Sequence, residues 1–106
     1  MQFALVIGNV VSTQKDDKIM GRKLLLIQPL NINFEATGSP LVAIDAVGAG
    51  EGEVVLYVSG SSARQTKMTE GTPCDCAIMA IIDTVEKDSR EIFRKGEEAK
   101  KVKVKK

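Results

Sequence analysis

Two strand-like segments separated by a glycine-dense turn constrain this fold more than any other stretch of the chain. Residues 41–47 and 53–59 are rich in β-branched and other apolar side chains, which favour strands. The turn between them, 48–52, holds three glycines in five residues. Glycine allows positive φ and close backbone approach, and a plain hairpin needs only one or two glycines. We therefore expect a ligand or a neighbouring chain to crowd this turn.

Three further apolar segments, 3–12, 22–28 and 74–85, predict strands in the rest of the chain. Gly8 indicates a bend or bulge within the first segment, and Pro29 is expected to end the second. The third segment is nearly continuous in apolar character. It is therefore expected to be buried on both faces, or on one face and against another subunit.

The connections between these segments predict one short helix and one edge strand. The helix is expected at 60–66, where Ser61 or Ser62 can cap its N-terminus. Residues 86–89 are expected to form a charged turn, followed by a short edge strand at 90–94. Five strands and one short helix are typical of a small OB-like β-barrel, although an SH3-like barrel would give a similar count. The predicted class is all-β with one short helix.

Length and charge indicate one domain followed by a basic tail. The chain has 106 residues and a net charge of +1, and residues 1–96 are assigned to the domain. Residues 97–106 contain five lysines and two glutamates without a core-forming pattern, which predicts a disordered tail. The apolar runs are too short to span a bilayer, and no basic segment precedes the first strand. We therefore expect a cytosolic protein without a membrane partner.

The composition argues against an enzyme. The chain has no histidine, which is the commonest general base and the commonest metal ligand. Cys74 and Cys76 cannot complete a four-ligand zinc site without histidine, and their spacing differs from that of redox pairs. On a strand they share one side, so both are expected to be buried structural residues. We expect no catalytic residue, no metal and no cofactor.

Three local patterns match functional motifs only in part. The turn at 48–53 lacks the third glycine of a dinucleotide-binding loop and precedes a strand rather than a helix. The segment 60–64 carries Arg64 where a nucleophile elbow requires glycine, and no histidine can activate its serines. Asp45 and Asp83 are carboxylates in apolar strands that could perform acid–base chemistry. Hydrogen bonding at a strand end or an interface is the stronger interpretation of both.

The lysine-rich tail leaves a second class of function open. Lysines neutralise phosphates, so an OB-like barrel with this tail could act as a nucleic-acid-binding module. Proteins that bind single strands also stack bases on aromatic side chains. The chain has only four aromatic residues, and none is interleaved with lysine or arginine. The tail alone therefore supports this alternative.

Several blocks of the sequence, taken together, resemble one protein family. In chain order, the blocks are 3–11 with its central glycine, 21–27, 46–56, 60–64 and 73–83. Their succession resembles the EutN/CcmL family, the pentameric vertex proteins of bacterial microcompartments such as carboxysomes and metabolosomes. The resemblance extends over about residues 1–95, and the two glycine-containing blocks together are its most specific part.

The resemblance implies an OB-like barrel that assembles as a cyclic pentamer. It further implies a non-enzymatic shell component in the bacterial cytoplasm, with hexameric shell proteins as partners and no specific nucleic acid. The residues predicted to lie at a subunit interface or near the pore are Asp45, Gly48, Ala49, Gly50, Gly52, Gly60, Ser61, Ser62, Arg64 and Asp83.

Overall fold

A computed structural model describes residues 1–11, 23–60 and 76–95, and these residues form seven strands. The strands are β1 (Gln2–Val10), β2 (Leu24–Leu30), β3 (Leu41–Asp45), β4 (Val54–Ser59), β5 (Cys76–Ile81), β6 (Thr84–Lys87) and β7 (Arg90–Arg94). The first five close into a barrel in the order β1-β2-β3-β5-β4, and β4 pairs with β1. Only the β3–β5 pair is parallel.

The five-stranded barrel and the all-β class predicted from the sequence are confirmed. The remaining strands, β6 and β7, form a separate two-stranded sheet. The short helix predicted at 60–66 lies outside the described residues beyond Gly60, and the predicted tail at 97–106 lies outside them entirely.

The barrel interior is filled almost entirely by aliphatic side chains. Because successive side chains on a strand point to opposite faces, every second residue of each strand points inward. The single aromatic ring of this interior cluster, Tyr57, donates a hydrogen bond from its hydroxyl to Gln2 Oε1 at 2.6 Å. The buried members of the cluster are Ala4, Val6, Leu25, Ile27, Ala43, Ala49, Val55, Tyr57, Cys76 and Ile78.

The first strand contains the irregularity predicted at Gly8. Val6 pairs with Ile27 and Gly8 pairs with Leu26, which are neighbours in β2. Ile7 is therefore an extra residue of β1 without a partner in β2. A β-bulge of this kind bends the strand and increases its twist, which helps a short strand to curve around a barrel.

Pro29 does not end β2, contrary to the prediction. It lies within the strand and pairs with Ala4 of β1. Its carbonyl accepts the Thr37 N–H at 2.9 Å, so its nitrogen also faces the returning loop and no hydrogen bond to β1 is lost. The buried Gln28 amide donates to the carbonyls of Thr37 and Gly38 and ties this loop to the barrel.

The strand predicted at 74–85 ends earlier than expected. Its described part, β5, ends at Ile81, and the Ile82 N–H makes the last hydrogen bond to β4, on the Val54 carbonyl at 2.9 Å. The apolar run continues past this point because Ile82 and Val85 pack on the outside of the barrel. The continuous apolar run therefore contains two segments: the strand β5 of the barrel, and a following stretch that packs on the outside of the barrel.

Only the second half of the charged segment 86–89 forms a turn. Glu86 and Lys87 belong to β6, and the turn proper consists of Asp88 and Ser89, with φ of 53° and 62°. Positive φ at both central positions matches the right-handed twist of the flanking strands. The strand predicted at 90–94 is confirmed as β7, and its partner is β6 rather than the barrel.

The hairpin of β6 and β7 covers an outer face of the barrel. Phe93 is fully buried and stacks against Phe34, with ring centroids 5.0 Å apart. Phe34 in turn contacts Phe3 at 5.1 Å. The buried members of this outer cluster are Leu30, Phe34, Val54 and Phe93.

Phe93→Ala should detach the hairpin from the barrel. Removing a fully buried phenylalanine is expected to reduce the free energy of unfolding by about 3–5 kcal/mol. Urea denaturation at fixed protein concentration measures the loss, with the half-buried Val85→Ala as a smaller truncation in the same hairpin. A loss below about 1 kcal/mol for Phe93→Ala would show that the hairpin contributes little to the fold.

Candidate functional site

The glycine loop, residues 46–53, directly follows a buried carboxylate. Asp45 ends β3 and is only 5% exposed. Its Oδ1 accepts the N–H groups of Val47 and Gly48, both at 3.0 Å. The strand-end hydrogen bonding expected for Asp45 is therefore present, and its oxygen is used to turn the chain rather than for acid–base chemistry.

Lys23 ties the glycine loop to the start of β2. Its Nζ donates to the Ala49 carbonyl at 2.7 Å and lies 3.9 Å from Asp45 Oδ2. The Asp45 N–H also donates to the Lys23 carbonyl at 2.9 Å. The Ala49 side chain is fully buried and belongs to the barrel interior. The middle of the loop therefore packs into the end of the barrel.

Two of the three loop glycines are required by the backbone of the chain itself. Gly48 and Gly52 have φ of 79° and 89°, in the left-handed region that favours glycine. Gly50 does not, and a Cβ there would lie 3.5 Å from Glu53 Oε1, an ordinary contact distance. Turn geometry within one protomer therefore accounts for two of the three glycines, and the crowding inferred from the third stays a prediction.

Glu53 joins the glycine loop to β1 and to the end of β7. Its Oε1 accepts the Gly50 N–H at 2.6 Å, and its Oε2 lies 2.8 Å from Lys95 Nζ. The hydrogen bond from Lys95, followed by that from the Gly50 N–H, lowers the pKa of Glu53 below its ordinary value of 4.5. The backbone carbonyl of Glu53 accepts the Val6 N–H at 2.9 Å.

Two of the remaining predicted site residues, Gly60 and Asp83, lie within the described part of the chain. Gly60 follows β4 with φ of 66°. Asp83 is exposed, and its carbonyl accepts the Lys95 N–H at 2.7 Å. Asp45 pairs with Ile78 at the start of β5, whereas Asp83 follows the end of that strand, so the two carboxylates are not a pair. Ser61, Ser62 and Arg64 lie outside the described residues, as does Cys74.

Three residues that hold the loop were not identified from the sequence. Lys23 and Lys95 act from distant positions in the chain, and no local pattern connects either of them to the turn. Glu53 could have been found, because a carboxylate three residues after Gly50 can accept its N–H across a tight turn.

The hydrogen bonds around the glycine loop hold its backbone shape. In residues 1–11, 23–60 and 76–95, no group of three or more cysteine, aspartate or glutamate side chains is placed to bind a metal ion. Over the same ranges, no helix is long and apolar enough to cross a membrane. Cys76 is buried in the barrel interior, as predicted.

Gly52→Ala should destabilise the protein more than Gly50→Ala. An alanine forced into the positive φ of Gly52 is expected to lower the free energy of unfolding by about 1–2 kcal/mol. At Gly50 the change should stay within about 0.5 kcal/mol, since the backbone and the available space tolerate a Cβ. Chemical denaturation of both variants measures the difference. Equal losses would mean that space, rather than φ, determines the role of these glycines.

The Glu53–Lys95 ion pair should give the protein an acid-sensitive contribution to stability. Because the folded-state pKa of Glu53 is lowered, this contribution is present above about pH 4.5 and is lost as pH falls through the folded-state pKa. Glu53→Gln should lower the melting temperature at neutral pH and have progressively less effect in acid.

Thermal melting of wild type and variant between about pH 3 and pH 7 measures this pH dependence. Glu51→Gln is the matched control, because Glu51 is an exposed carboxylate of the same loop with no ion pair among the described residues. A difference between wild type and Glu53→Gln that stays constant across this range would contradict the assignment.

Comparison with known proteins places the chain in a family. A family model described as "Ethanolamine utilisation protein EutN/carboxysome" matches residues 1–83. The shell vertex protein GrpN of Rhodospirillum rubrum is 44% identical over 86 residues, which are 81% of this chain and 97% of GrpN. The shell vertex protein EutN of Salmonella typhimurium is 39% identical over 95 residues, which are 90% of this chain and 96% of EutN.

Solved structures agree with the sequence comparisons. The structure of CcmL from Nostoc sp. superimposes with a TM-score of 0.84 at 47% identity, covering 90% of this chain and 100% of CcmL. The structure described as the pentameric microcompartment shell protein GrpN gives a TM-score of 0.74 at 44% identity, covering 82% of this chain and 99% of GrpN. By the family match over most of its length, and by relatives that share both sequence and barrel, the chain belongs to the EutN/CcmL family of bacterial microcompartment shell vertex proteins.

Proposed function

We propose that this chain assembles as a homopentamer that occupies the vertices of a bacterial microcompartment shell in the cytoplasm. The observation that carries the proposal is the match to pentameric GrpN, which covers nearly the whole of that protein. A facet tiled by six-fold units is flat, and a five-fold unit at each corner lets such facets close. Hexameric shell proteins are therefore the proposed partners of the ring.

The first half of β3 is the proposed centre of the protomer contact. Leu41 and Val42 are 37% and 51% exposed, which is high for aliphatic side chains on a barrel strand. Val47, just beyond the other end of the strand, is 40% exposed. Exposed apolar side chains along a strand are suited to contact with a neighbouring chain.

A ring requires this surface to contact a different surface of the next protomer. Such a head-to-tail contact closes only when its rotation angle divides a full turn. Each contact is expected to bury on the order of 1,000 Å² or more. We place the glycine loop beside this contact, because Asp45 ends β3 and Val47 belongs to the loop. The predicted interface role of Gly60, Ser61, Ser62, Arg64 and Asp83 stays a prediction.

A non-catalytic role is the inference consistent with the family. The relatives described above are named as shell vertex proteins, and the described residues around the glycine loop serve to shape the backbone. The alternative of an OB-like nucleic-acid-binding module gains no support from these relatives.

Native mass spectrometry should show a ring of five chains. Each chain has a mass of 11.4 kDa, so the ring is expected at about 57 kDa. A mass of one or two chains at micromolar concentration would count against the vertex assignment. A ring of six would preserve a shell role but contradict the corner geometry.

Val42→Asp should dissociate the ring without unfolding the barrel. A carboxylate buried in an apolar contact without a partner is strongly unfavourable, so the pentamer fraction should fall at least about tenfold. Val11→Asp is the matched control, since Val11 is 89% exposed and lies after the end of β1. Mass spectrometry together with circular dichroism separates dissociation from unfolding. An intact ring in Val42→Asp would show that the protomer contact lies elsewhere.

A further inference from the structure

A groove lies between the loop after β2 and the turn of the outer hairpin. Its volume is about 430 Å³, within the usual range for binding sites. Apolar side chains from both elements form its base, and charged side chains of the hairpin form its rim. The residues that line this hairpin groove are Ile32, Asn33, Phe34, Lys87, Asp88, Arg90 and Ile92.

The backbone on both sides of the hairpin groove adopts unusual conformations. In the described residues, Phe34, Asp88 and Ser89 are the only non-glycine positions with positive φ. Phe34 and Asp88 line the groove, and Ser89 lies beside Asp88 in the turn. At Asp88 and Ser89 this conformation belongs to the tight turn of the hairpin, whereas Phe34 is held in it by the contacts of its buried ring with Phe3 and Phe93.

A β-bulge directs Ile92 toward the same groove. Val85 pairs with Phe93 and Glu86 pairs with Glu91, so Ile92 is the extra residue of β7. In a bulge the extra residue and its neighbour point to nearly the same side, which brings Ile92 into the apolar cluster that also buries Phe93. The apolar base of the groove is therefore formed by the fold of the single chain.

The cations at the rim have no ion-pair partner in the described part of the chain. Arg94 pairs with Glu91 at 2.6 Å and Lys95 with Glu53 at 2.8 Å, whereas Lys87 and Arg90 pair with no described carboxylate. Both side chains are exposed. With Asp88 as the one carboxylate of the lining, the groove carries a net positive charge over an apolar base.

We propose that the hairpin groove docks an acidic peptide segment of a partner protein. An apolar side chain of the segment would pack against Ile32, Phe34 and Ile92, and flanking carboxylates would pair with Lys87 and Arg90. The charge complementarity favours an acidic occupant over the lysine-rich tail of this chain. All residues that line the groove belong to one chain, so no second protomer is needed to complete it.

A random heptapeptide display library panned on the intact protein tests the proposal. In each round, sequences that bind the variant Lys87→Glu/Arg90→Glu are removed. This variant keeps the apolar residues of the groove and reverses its charge. Retained sequences should carry acidic residues on both sides of an apolar residue. Enrichment of no sequence, or of sequences without carboxylates, would overturn the proposal.

The affinity of a labelled synthetic peptide with a retained sequence is then measured by fluorescence anisotropy, for wild type and for variants of the residues that line the groove. Arg90→Gln and Ile32→Asp should each weaken its binding about tenfold. Arg94→Gln is the matched control, since Arg94 lies on the same strand but does not line the groove, and should change binding less than about twofold. Equal losses for Arg90→Gln and Arg94→Gln would indicate non-specific attraction and overturn the proposal.

Two further measurements exclude other occupants. Native mass spectrometry of Lys87→Glu/Arg90→Glu should match that of wild type, whatever its oligomeric state. A change in mass would show that a second copy of the chain occupies the groove. Displacement of the selected peptide by a peptide of residues 97–106 would assign the groove to the chain's own tail. Either result would overturn the proposal.

Discussion

The strands of this barrel carry apolar side chains on both faces, so closing the barrel buries only half of them. The inward set fills the interior with small aliphatic residues. The outward set includes Phe3, Leu5 and Val54 on one side and Ile44 and Ala77 on another. Burial of apolar surface is the main favourable term in folding and association, so each outer face needs a cover. Much of the remaining structure follows from this need.

One outer face is covered by the chain itself. The run after β5 stays apolar because Ile82 and Val85 must pack on the barrel, and Phe93 completes that layer. The exposed aliphatic side chains at the first half of β3 have no such cover in the described part of the chain. The difference between the two faces gives a physical reason for the proposed contact at β3, and a relative, GrpN, is described as pentameric.

The sequence predicted the barrel well because strand patterns and glycine turns are local signals. The positive φ that glycine allows is present at Gly48 and Gly52 of the glycine loop, whereas the crowding inferred from the third glycine stays a prediction. Long-range contacts could not be predicted: nothing near Lys23 or Lys95 in the sequence connects them with the turn. Pro29 was misjudged because its compatibility with β2 depends on which side of the strand faces the loop.

The proposed ring contact and the hairpin groove use different elements of the chain. Contacts that set the ring must preserve one rotation angle, so they are constrained by the geometry of the barrel. A groove whose charged rim comes from the hairpin is free of that constraint, because Lys87 and Arg90 can change without altering any strand of the barrel. Substitutions that change partner specificity at the proposed groove would therefore leave the proposed ring contact unchanged.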